Sequence, residues 1–167
     1  MADSVSIDKL ESVVNTYLSL NDYLVADAPA KLDAVTELFL GRADKILLVT
    51  QQSLPHIQDS ARQIQLLTNE FGISKKRISV IVNRWSKGSE IVADDIRKAL
   101  RVDELLTIPN NYKIVNESIN TGVPVADISR TAALTRAIRD LNNVIADPSS
   151  RPNPGFLKRV MPNFLGG

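Results

Sequence analysis

The sequence predicts an α/β fold with an open, mostly parallel sheet of about four strands flanked by helices. Short apolar runs recur along the chain, at residues 23–28, 45–50, 78–83 and 104–108. Stretches whose apolar residues follow helical spacing separate these runs. Strands that alternate with helices in this way build parallel sheets covered on both faces. In such sheets ligands bind beyond the carboxyl ends of the strands, so the residues that leave each strand are the first candidates for function.

Six amphipathic segments account for the helices, because their apolar residues recur at spacings of three and four. They cover residues 6–21, 33–40, 54–71, 91–100, 111–121 and 129–146. Ser53 and Asn110 are residue types that favour helix N-termini. Gly41 and Gly122 are expected to end the helices that precede them. Each predicted strand therefore lies between two predicted helices, as a parallel sheet requires.

Composition narrows the classes of function. The 167 residues are 44% hydrophobic and 23% charged, with no cysteine and a single histidine, His56. The formal net charge of +1 gives no global field that would attract nucleic acid, so no nucleic-acid partner is expected. Without cysteine there is no disulfide, thiolate or Cys-type zinc chemistry, and His56 is expected at the surface. No apolar run reaches the ~20 residues of a spanning helix, and the first residues lack a signal-peptide pattern, so a cytoplasmic location is expected.

The end of the chain differs in composition from the rest. Residues 1–147 are predicted to form one α/β domain, and residues 148–167 a proline-rich linker with a short amphipathic tail. The tail has the pattern of a short helix on anionic lipid, carried by Phe156, Leu157, Lys158, Arg159, Val160, Phe164 and Leu165. The same pattern fits a tail that frays or docks on its own domain, because Pro162 would break a helix after little more than one turn. Weak peripheral contact with the inner membrane, strengthened by oligomer avidity, is the corresponding expectation.

Polar residues leave three of the predicted strands. Asp27 lies at the end of the first run, and its carboxylate is a group that holds Mg²⁺ through water beside nucleotide phosphates. Asn83 ends the third run, and its carboxamide offers the donor and the acceptor that read the edge of a purine base. Pro109 and Asn110 follow the fourth run and could present backbone groups to the same base. All of these residue types also form ordinary turns and helix starts, so both interpretations stay open.

The residues that would bind nucleotide phosphates are missing from the sequence. A P-loop needs a glycine-rich turn whose N–H groups surround the phosphates, followed by a lysine that reaches them. None of the seven glycines is followed by Lys-Ser or Lys-Thr, and residues 87–89 read Lys-Gly-Ser, which is the wrong order. No cofactor is therefore expected in this chain alone, and the chain is not expected to hydrolyse ATP by itself.

Several segments together resemble the MinD/ParA-like P-loop ATPases. Residues 23–29, 47–55, 80–84, 107–112 and 122–124 occur in the order and spacing of that superfamily. Thr-Gln-Gln-Ser-Leu-Pro at 50–55 and Ile-Pro-Asn-Asn-Tyr at 108–112 are most similar to the CpaE/TadZ branch, which localises and helps assemble Tad-type (Flp) pili. Gly-Phe-Leu-Lys-Arg at 155–159 is similar to the membrane-targeting tail of MinD. The resemblance covers roughly residues 6–146 and implies a partial P-loop NTPase fold, that is, the C-terminal half of the ATPase domain.

The resemblance also implies roles for the polar residues. In the family, the residue matching Asp27 helps organise Mg²⁺ at the switch region, and the residue matching Asn83 contacts adenine. The segment matching Pro109 and Asn110 lines the base pocket, and Arg84 is included in the same implied nucleotide site. Full-length members bind ATP and Mg²⁺ with a P-loop and a switch region that precede the part matched here.

The function expected from the resemblance is a CpaE/TadZ-like scaffold that does not hydrolyse ATP. Its partners would be Tad pilus-assembly proteins or a full-length homologous ATPase, with a homodimer as a further expectation. One alternative is the C-terminal half of an active MinD/ParA-like ATPase, which binds ATP and Mg²⁺ only with the missing N-terminal half. A second is a ParA-like DNA-associated accessory protein, which the near-neutral charge disfavours. In the family the P-loop strand separates the strands matching 23–28 and 45–50, so its absence either joins these two strands or leaves open edges.

Overall fold

The computed structural model describes residues 6–29, 31 and 33–146. Its contacts divide the chain into two compact units, Met1–Ala43 and Asp44–Gly167. The predicted linker and amphipathic tail, residues 148–167, lie outside the described residues. The expectation of lipid contact through that tail therefore stays a prediction.

The first unit contains two helices. Helix α1 spans Ile7–Leu20 and helix α2 spans Ala34–Arg42. The Arg42 guanidinium joins them, because it donates to the Asn15 side chain and forms an ion pair with Glu11. Many apolar side chains of α1 are exposed, whereas Val14 is buried. Polar contacts and a small apolar core therefore together hold the two helices of this unit.

Asp33 determines where α2 begins. Its carboxylate accepts a hydrogen bond from the Thr36 backbone N–H at 2.9 Å, which satisfies one of the free donors of the first helical turn. This backbone hydrogen bond, together with one from the Thr36 side chain, lowers the pKa of Asp33 below its usual value because both favour the ionised carboxylate. Gly41, predicted to end this helix, lies inside it, and the helix ends at Arg42.

The predicted first strand is wrong. Residues 23–28 form an irregular segment with no strand pairing, and Val25 within it is 84% exposed. A strand is stable only when a neighbouring strand binds its backbone N–H and C=O groups. No such neighbour pairs with this segment in the part of the chain that the structure describes. The described sheet therefore has three strands instead of the predicted four.

The second unit is built on that three-stranded parallel sheet, in the order β1-β2-β3. Its strands are β1 (Ile46–Gln51), β2 (Ile78–Trp85) and β3 (Leu106–Pro109). In the register of β1 and β2, Val49 lies beside Ile81 and Gln51 beside Asn83. These strands confirm the predictions for 45–50, 78–83 and 104–108, and with them the α/β class with a parallel sheet.

Helices connect and cover the strands. They are α3 (Leu54–Asn69), α4 (Ala93–Leu100), α5 (Tyr112–Thr121), α6 (Val125–Ile128) and α7 (Ala133–Ala146). Gly122 follows α5 with φ at 68°, as predicted for a helix C-cap. The N-cap of α5 is Asn111, one residue later than predicted, and its side chain accepts from the Ile114 N–H at 3.3 Å. Ser53 is the N-cap residue of α3.

The main core lies between one face of the sheet and helices α3 and α4. Its buried members are Leu48, Ile57, Ile64, Val80, Val82, Ile96 and Leu100. On the opposite face of β2, Ile81 is also buried, and α7 packs against β3. The sheet is thus flanked by helices, as parallel sheets require.

Candidate functional site

The carboxyl ends of the three strands lie at one edge of the sheet, because the strands are parallel. Trp85 at the end of β2 lies beside Pro109 at the end of β3. The backbone N–H of Asn110 donates to the Trp85 carbonyl at 2.9 Å. The structure therefore brings four predicted site residues, Asn83, Arg84, Pro109 and Asn110, to the same edge of the sheet.

Asn83 is half-buried at this edge, and its carboxamide is oriented by the chain itself. Its Oδ1 accepts a hydrogen bond from the Arg84 backbone N–H at 2.8 Å. A carboxamide oxygen has two lone pairs, so this bond fixes the side chain while leaving acceptor capacity for a ligand. The role of Asn83 toward adenine stays a prediction.

Arg84 has an uncommon backbone conformation for a residue with a side chain. Its φ is 53°, in the left-handed region, and its side chain is exposed. Residues other than glycine adopt this region at a cost, and such strained positions are found disproportionately at functional sites. The left-handed conformation interrupts the regular pairing of β2 with β3 and coincides with the register shift between Val82 and Trp85.

We expect Arg84→Gly to raise the free energy of unfolding by about 1 kcal/mol. The left-handed conformation costs residues with a Cβ about 1–2 kcal/mol, and the larger unfolded-state entropy of glycine offsets part of that gain. Urea denaturation followed by circular dichroism measures the change. Gly122→Ala is the converse control, because Gly122 has φ at 68° and no heavy atom lies within 4 Å of an added Cβ. Only the left-handed backbone then opposes the alanine, and the free energy of unfolding should fall by about 1 kcal/mol. A destabilised Arg84→Gly protein would show that the arginine side chain stabilises the turn.

Gln52 is a part of this edge to which the sequence assigned no role. Its Oε1 accepts from the Ser86 N–H at 2.6 Å, and its Nε2 donates to the carbonyls of Ser86 at 3.2 Å and Ile91 at 3.0 Å. These bonds join the exit of β1 to the loop 86–91 that follows β2. The one feature of the sequence that could have indicated this role is the position of Gln52 directly after a predicted buried strand. Gln52 thus positions the loop adjoining Arg84.

Ser53 and His56 form a polar pair at the start of α3. The Ser53 hydroxyl lies 2.6 Å from Nδ1 of His56, so the hydroxyl bonds with this side chain and does not cap the helix backbone. The His56 carbonyl accepts from the hydroxyls of Thr50 and Ser60. His56 is exposed at the helix start, as predicted.

Asp27 lies in the first unit and is exposed. Because residues 23–28 are not a strand, its predicted position at a strand exit is wrong. Its role with Mg²⁺ stays a prediction that rests on the resemblance. Within the described ranges, no group of three or more His, Cys, Asp or Glu side chains is placed to hold a metal ion.

A cavity of about 180 Å³ lies away from the candidate site, where α3 and α4 end. Lys75 and Arg101 are among its lining residues. In the part of the chain that the structure covers, no helix is long and apolar enough to cross a bilayer.

Comparison with known proteins places this chain among P-loop ATPase relatives. No protein-family model matches it. The septum site-determining protein MinD of Thermotoga maritima is 33% identical over 129 residues, which is 74% of this chain and 47% of that protein. The crystal structure of a ParA family ATPase from Chlorobium tepidum superposes with a TM-score of 0.74 at 25% identity, over 82% of this chain and 57% of that one. MinD from Pyrococcus horikoshii, solved in complex with Mg-ADP, gives a TM-score of 0.67 at 20% identity, over 87% and 59% of the two chains.

The chain is therefore a relative of the MinD/ParA-like P-loop ATPases, in sequence and in fold. This confirms the superfamily that its motifs predicted. The chain spans about half the length of the relatives that it matches. The CpaE/TadZ branch stays a prediction from the segments at 50–55 and 108–112.

Proposed function

We propose that this chain is a CpaE/TadZ-type scaffold domain that binds proteins of Tad (Flp) pilus assembly and does not hydrolyse ATP by itself. One observation carries the proposal. The ends of β2 and β3 bring the residues predicted to contact the base to one edge of the sheet, while the sequence has no glycine-rich loop for the phosphates. Phosphoryl transfer depends on contacts to the phosphates and on Mg²⁺, so an isolated base edge supports at most weak nucleotide binding.

The position of the two segments from which the CpaE/TadZ branch was predicted supports a role in partner binding. Residues 50–55 leave β1 and residues 108–112 leave β3, so both segments most similar to CpaE/TadZ lie at the carboxyl edge. Loops at such an edge carry binding function in open α/β sheets. A partner that recognises this edge would contact both segments.

A second candidate function is favoured by the length of the relatives. Because the chain matches 47% of the Thermotoga maritima protein, it is also suited to act as one half of a nucleotide-binding domain. Asn83, Arg84, Pro109 and Asn110 would then contact the base, and Asp27 would act with Mg²⁺ supplied with the nucleotide. The other half would supply the contacts to the phosphates.

Nucleotide binding and turnover by the purified chain test the proposal. We expect no ATP turnover above background, and dissociation constants for ATP and adenosine that are similar and above about 1 mM, because base contacts alone contribute. Amide NMR shifts measure the binding and phosphate release measures the turnover. Asn83→Ala should abolish the shifts, whereas Asn69→Ala, an exposed asparagine at the end of α3, should not. Turnover that survives Asp27→Ala would contradict the assigned site residues.

Pilus formation separates the two candidate functions. In the source cell, loss of this protein should reduce surface Flp pili, and both the wild type and Asn83→Ala should restore them, because a scaffold does not need the base contact. Failure of Asn83→Ala alone would favour the nucleotide-binding half. Unchanged pili without the protein, and no capture of purified Tad proteins, would overturn the pilus role.

A further inference from the structure

The cavity of about 180 Å³ lies within the second unit, between α3, the end of α4 and a short 3₁₀ helix, Lys75–Arg77. Its apolar lining includes Ile64 and Leu100, both buried in the main core. Its polar lining consists of Gln65, Thr68, Asn69, Lys75 and Arg101. Sites for drug-sized ligands measure about 300–1,000 Å³, and one water molecule takes about 30 Å³ of liquid. The cavity therefore has room for a small ion with a few further atoms.

The charges around this cavity have one sign. Lys75 and Arg101 line it, and no carboxylate is among its lining residues. Ion pairs do occur in the part of the chain that the structure describes, but neither Lys75 nor Arg101 belongs to one of them. Two like charges around one cavity repel each other, and an anion inside it would relieve that repulsion. The charge of the lining therefore favours an anionic ligand.

Arg101 occupies a position at the end of α4 that suits glycine. Its φ is 54°, in the left-handed region. The ends of α3 and α5 use glycine for the same conformation, with φ at 62° for Gly72 and 68° for Gly122. A residue with a Cβ adopts this region at a cost, and such strained positions concentrate at functional sites. An arginine at this helix end therefore points to a role for its side chain.

The backbone itself satisfies the last carbonyls of α4. The Arg101 N–H donates to the Lys98 carbonyl at 3.3 Å, and the Val102 N–H donates to the Arg97 carbonyl at 3.1 Å. Glycine at position 101 would make the same pair of bonds, which is the usual form of this helix end. The favourable charge for a helix C-terminus is already present, because Arg97 and Lys98 lie in the last turn. The end of α4 therefore does not need the Arg101 side chain.

We infer that this cavity binds the dianionic phosphate group of a small free molecule. A guanidinium binds phosphate oxygens through two parallel N–H bonds, and an ammonium adds a compact point charge, so Arg101 and Lys75 match the two negative charges of the group. The carboxamides of Gln65 and Asn69 supply further N–H donors. The Thr68 hydroxyl is not counted among the donors, because it already donates to the Ile64 carbonyl at 2.9 Å.

The size of the cavity limits the rest of the ligand. A volume of about 180 Å³ holds a phosphate group with a short substituent, and a whole nucleotide does not fit. The cavity lies away from Asn83 and Arg84, so this binding site does not rest on the proposed function.

Titration of the full chain with inorganic phosphate tests the site. The ionic strength is held constant with sodium chloride, because salt screens exposed charges. We expect amide NMR shifts confined to residues 64–69, 75–77 and 99–102, with a dissociation constant of about 1 mM. Acetate, which carries one charge and fewer oxygens, should bind at least about tenfold more weakly.

Two variants separate binding from folding. Lys75→Gln and Arg101→Gly should each weaken phosphate binding at least about tenfold. Lys76→Gln is the matched control, because Lys76 is exposed in the same 3₁₀ helix and is not among the lining residues, so it should bind phosphate as the wild type does. Arg101→Gly should unfold at the same or a higher urea concentration, since glycine suits the left-handed helix end.

The opposite results would overturn the phosphate site. They are the absence of shifts around the cavity, equal affinity for phosphate and acetate, and binding that survives either Lys75→Gln or Arg101→Gly. If Arg101 only stabilises the end of α4, Arg101→Gly should instead unfold at a lower urea concentration, and the wild type should show no phosphate shifts.

Discussion

Ile96→Ala is expected to lower the free energy of unfolding by about 3 to 4 kcal/mol. Ile96 lies on α4 with 0% of its surface exposed, within the core between the sheet and helices α3 and α4. Truncation removes the transfer free energy of three carbon atoms and leaves a cavity that the packed neighbours fill only in part. Because single domains are stable by only about 5–15 kcal/mol, this loss is a large share of the total. Guanidinium denaturation followed by circular dichroism measures it.

Val92→Ala is the control for this prediction. Val92 directly precedes α4 and is 50% exposed, so its truncation should cost less than about 0.5 kcal/mol. Equal losses of unfolding free energy in the two variants would show that the burial of a side chain on α4 does not determine its contribution to stability. A small loss for Ile96→Ala alone would show that α4 is not part of the cooperative core.

The contrast between β1 and residues 23–28 shows what a local pattern can predict. Both are short apolar runs before a polar or proline exit, and both were predicted as strands. Residues 45–50 became a strand because β2 lies beside it, whereas residues 23–28 have no paired neighbour among the described residues. Strand formation depends on a partner distant in sequence, which a local pattern does not contain.

The N-cap of α5 shows a second limit of prediction from the sequence. Asn110 and Asn111 are adjacent and have equal intrinsic preference for a helix N-terminus. The Asn110 N–H donates to the Trp85 carbonyl, which holds this residue at the end of β2 directly after β3, and the cap falls on Asn111. A contact between β2 and β3, and not the helix sequence, decides between them.

The candidate site was predictable where it depends on strand direction alone. Asn83, Arg84, Pro109 and Asn110 meet because the carboxyl ends of parallel strands share an edge. The role of Gln52 was not predictable, because its partners Ser86 and Ile91 are 34 and 39 residues away. The left-handed φ of Arg84 likewise has no signal in its residue type, which favours other conformations.

Gln52→Ala is expected to lower the free energy of unfolding by about 2 kcal/mol and to loosen the loop 86–91. The side chain makes three hydrogen bonds to that loop, and each is worth about 0.5–1.5 kcal/mol net. Losing all three exposes the Ser86 N–H, whose bond to Oε1 measures 2.6 Å. Urea denaturation measures the stability, and amide exchange at Ser86 measures the loop.

Gln52→Glu distinguishes the acceptor from the donor role of this side chain. The carboxylate can still accept from the Ser86 N–H, but it places an oxygen opposite the carbonyls of Ser86 and Ile91, where an N–H₂ group donates in the wild type. We therefore expect Ser86 to stay protected from exchange in Gln52→Glu while stability falls nearly as far as in the alanine variant. Gln58→Ala, an exposed glutamine on α3, should change neither quantity. If Gln52→Ala leaves Ser86 protected, the loop is held by contacts other than Gln52, and Gln52 does not position the edge that carries Asn83 and Arg84.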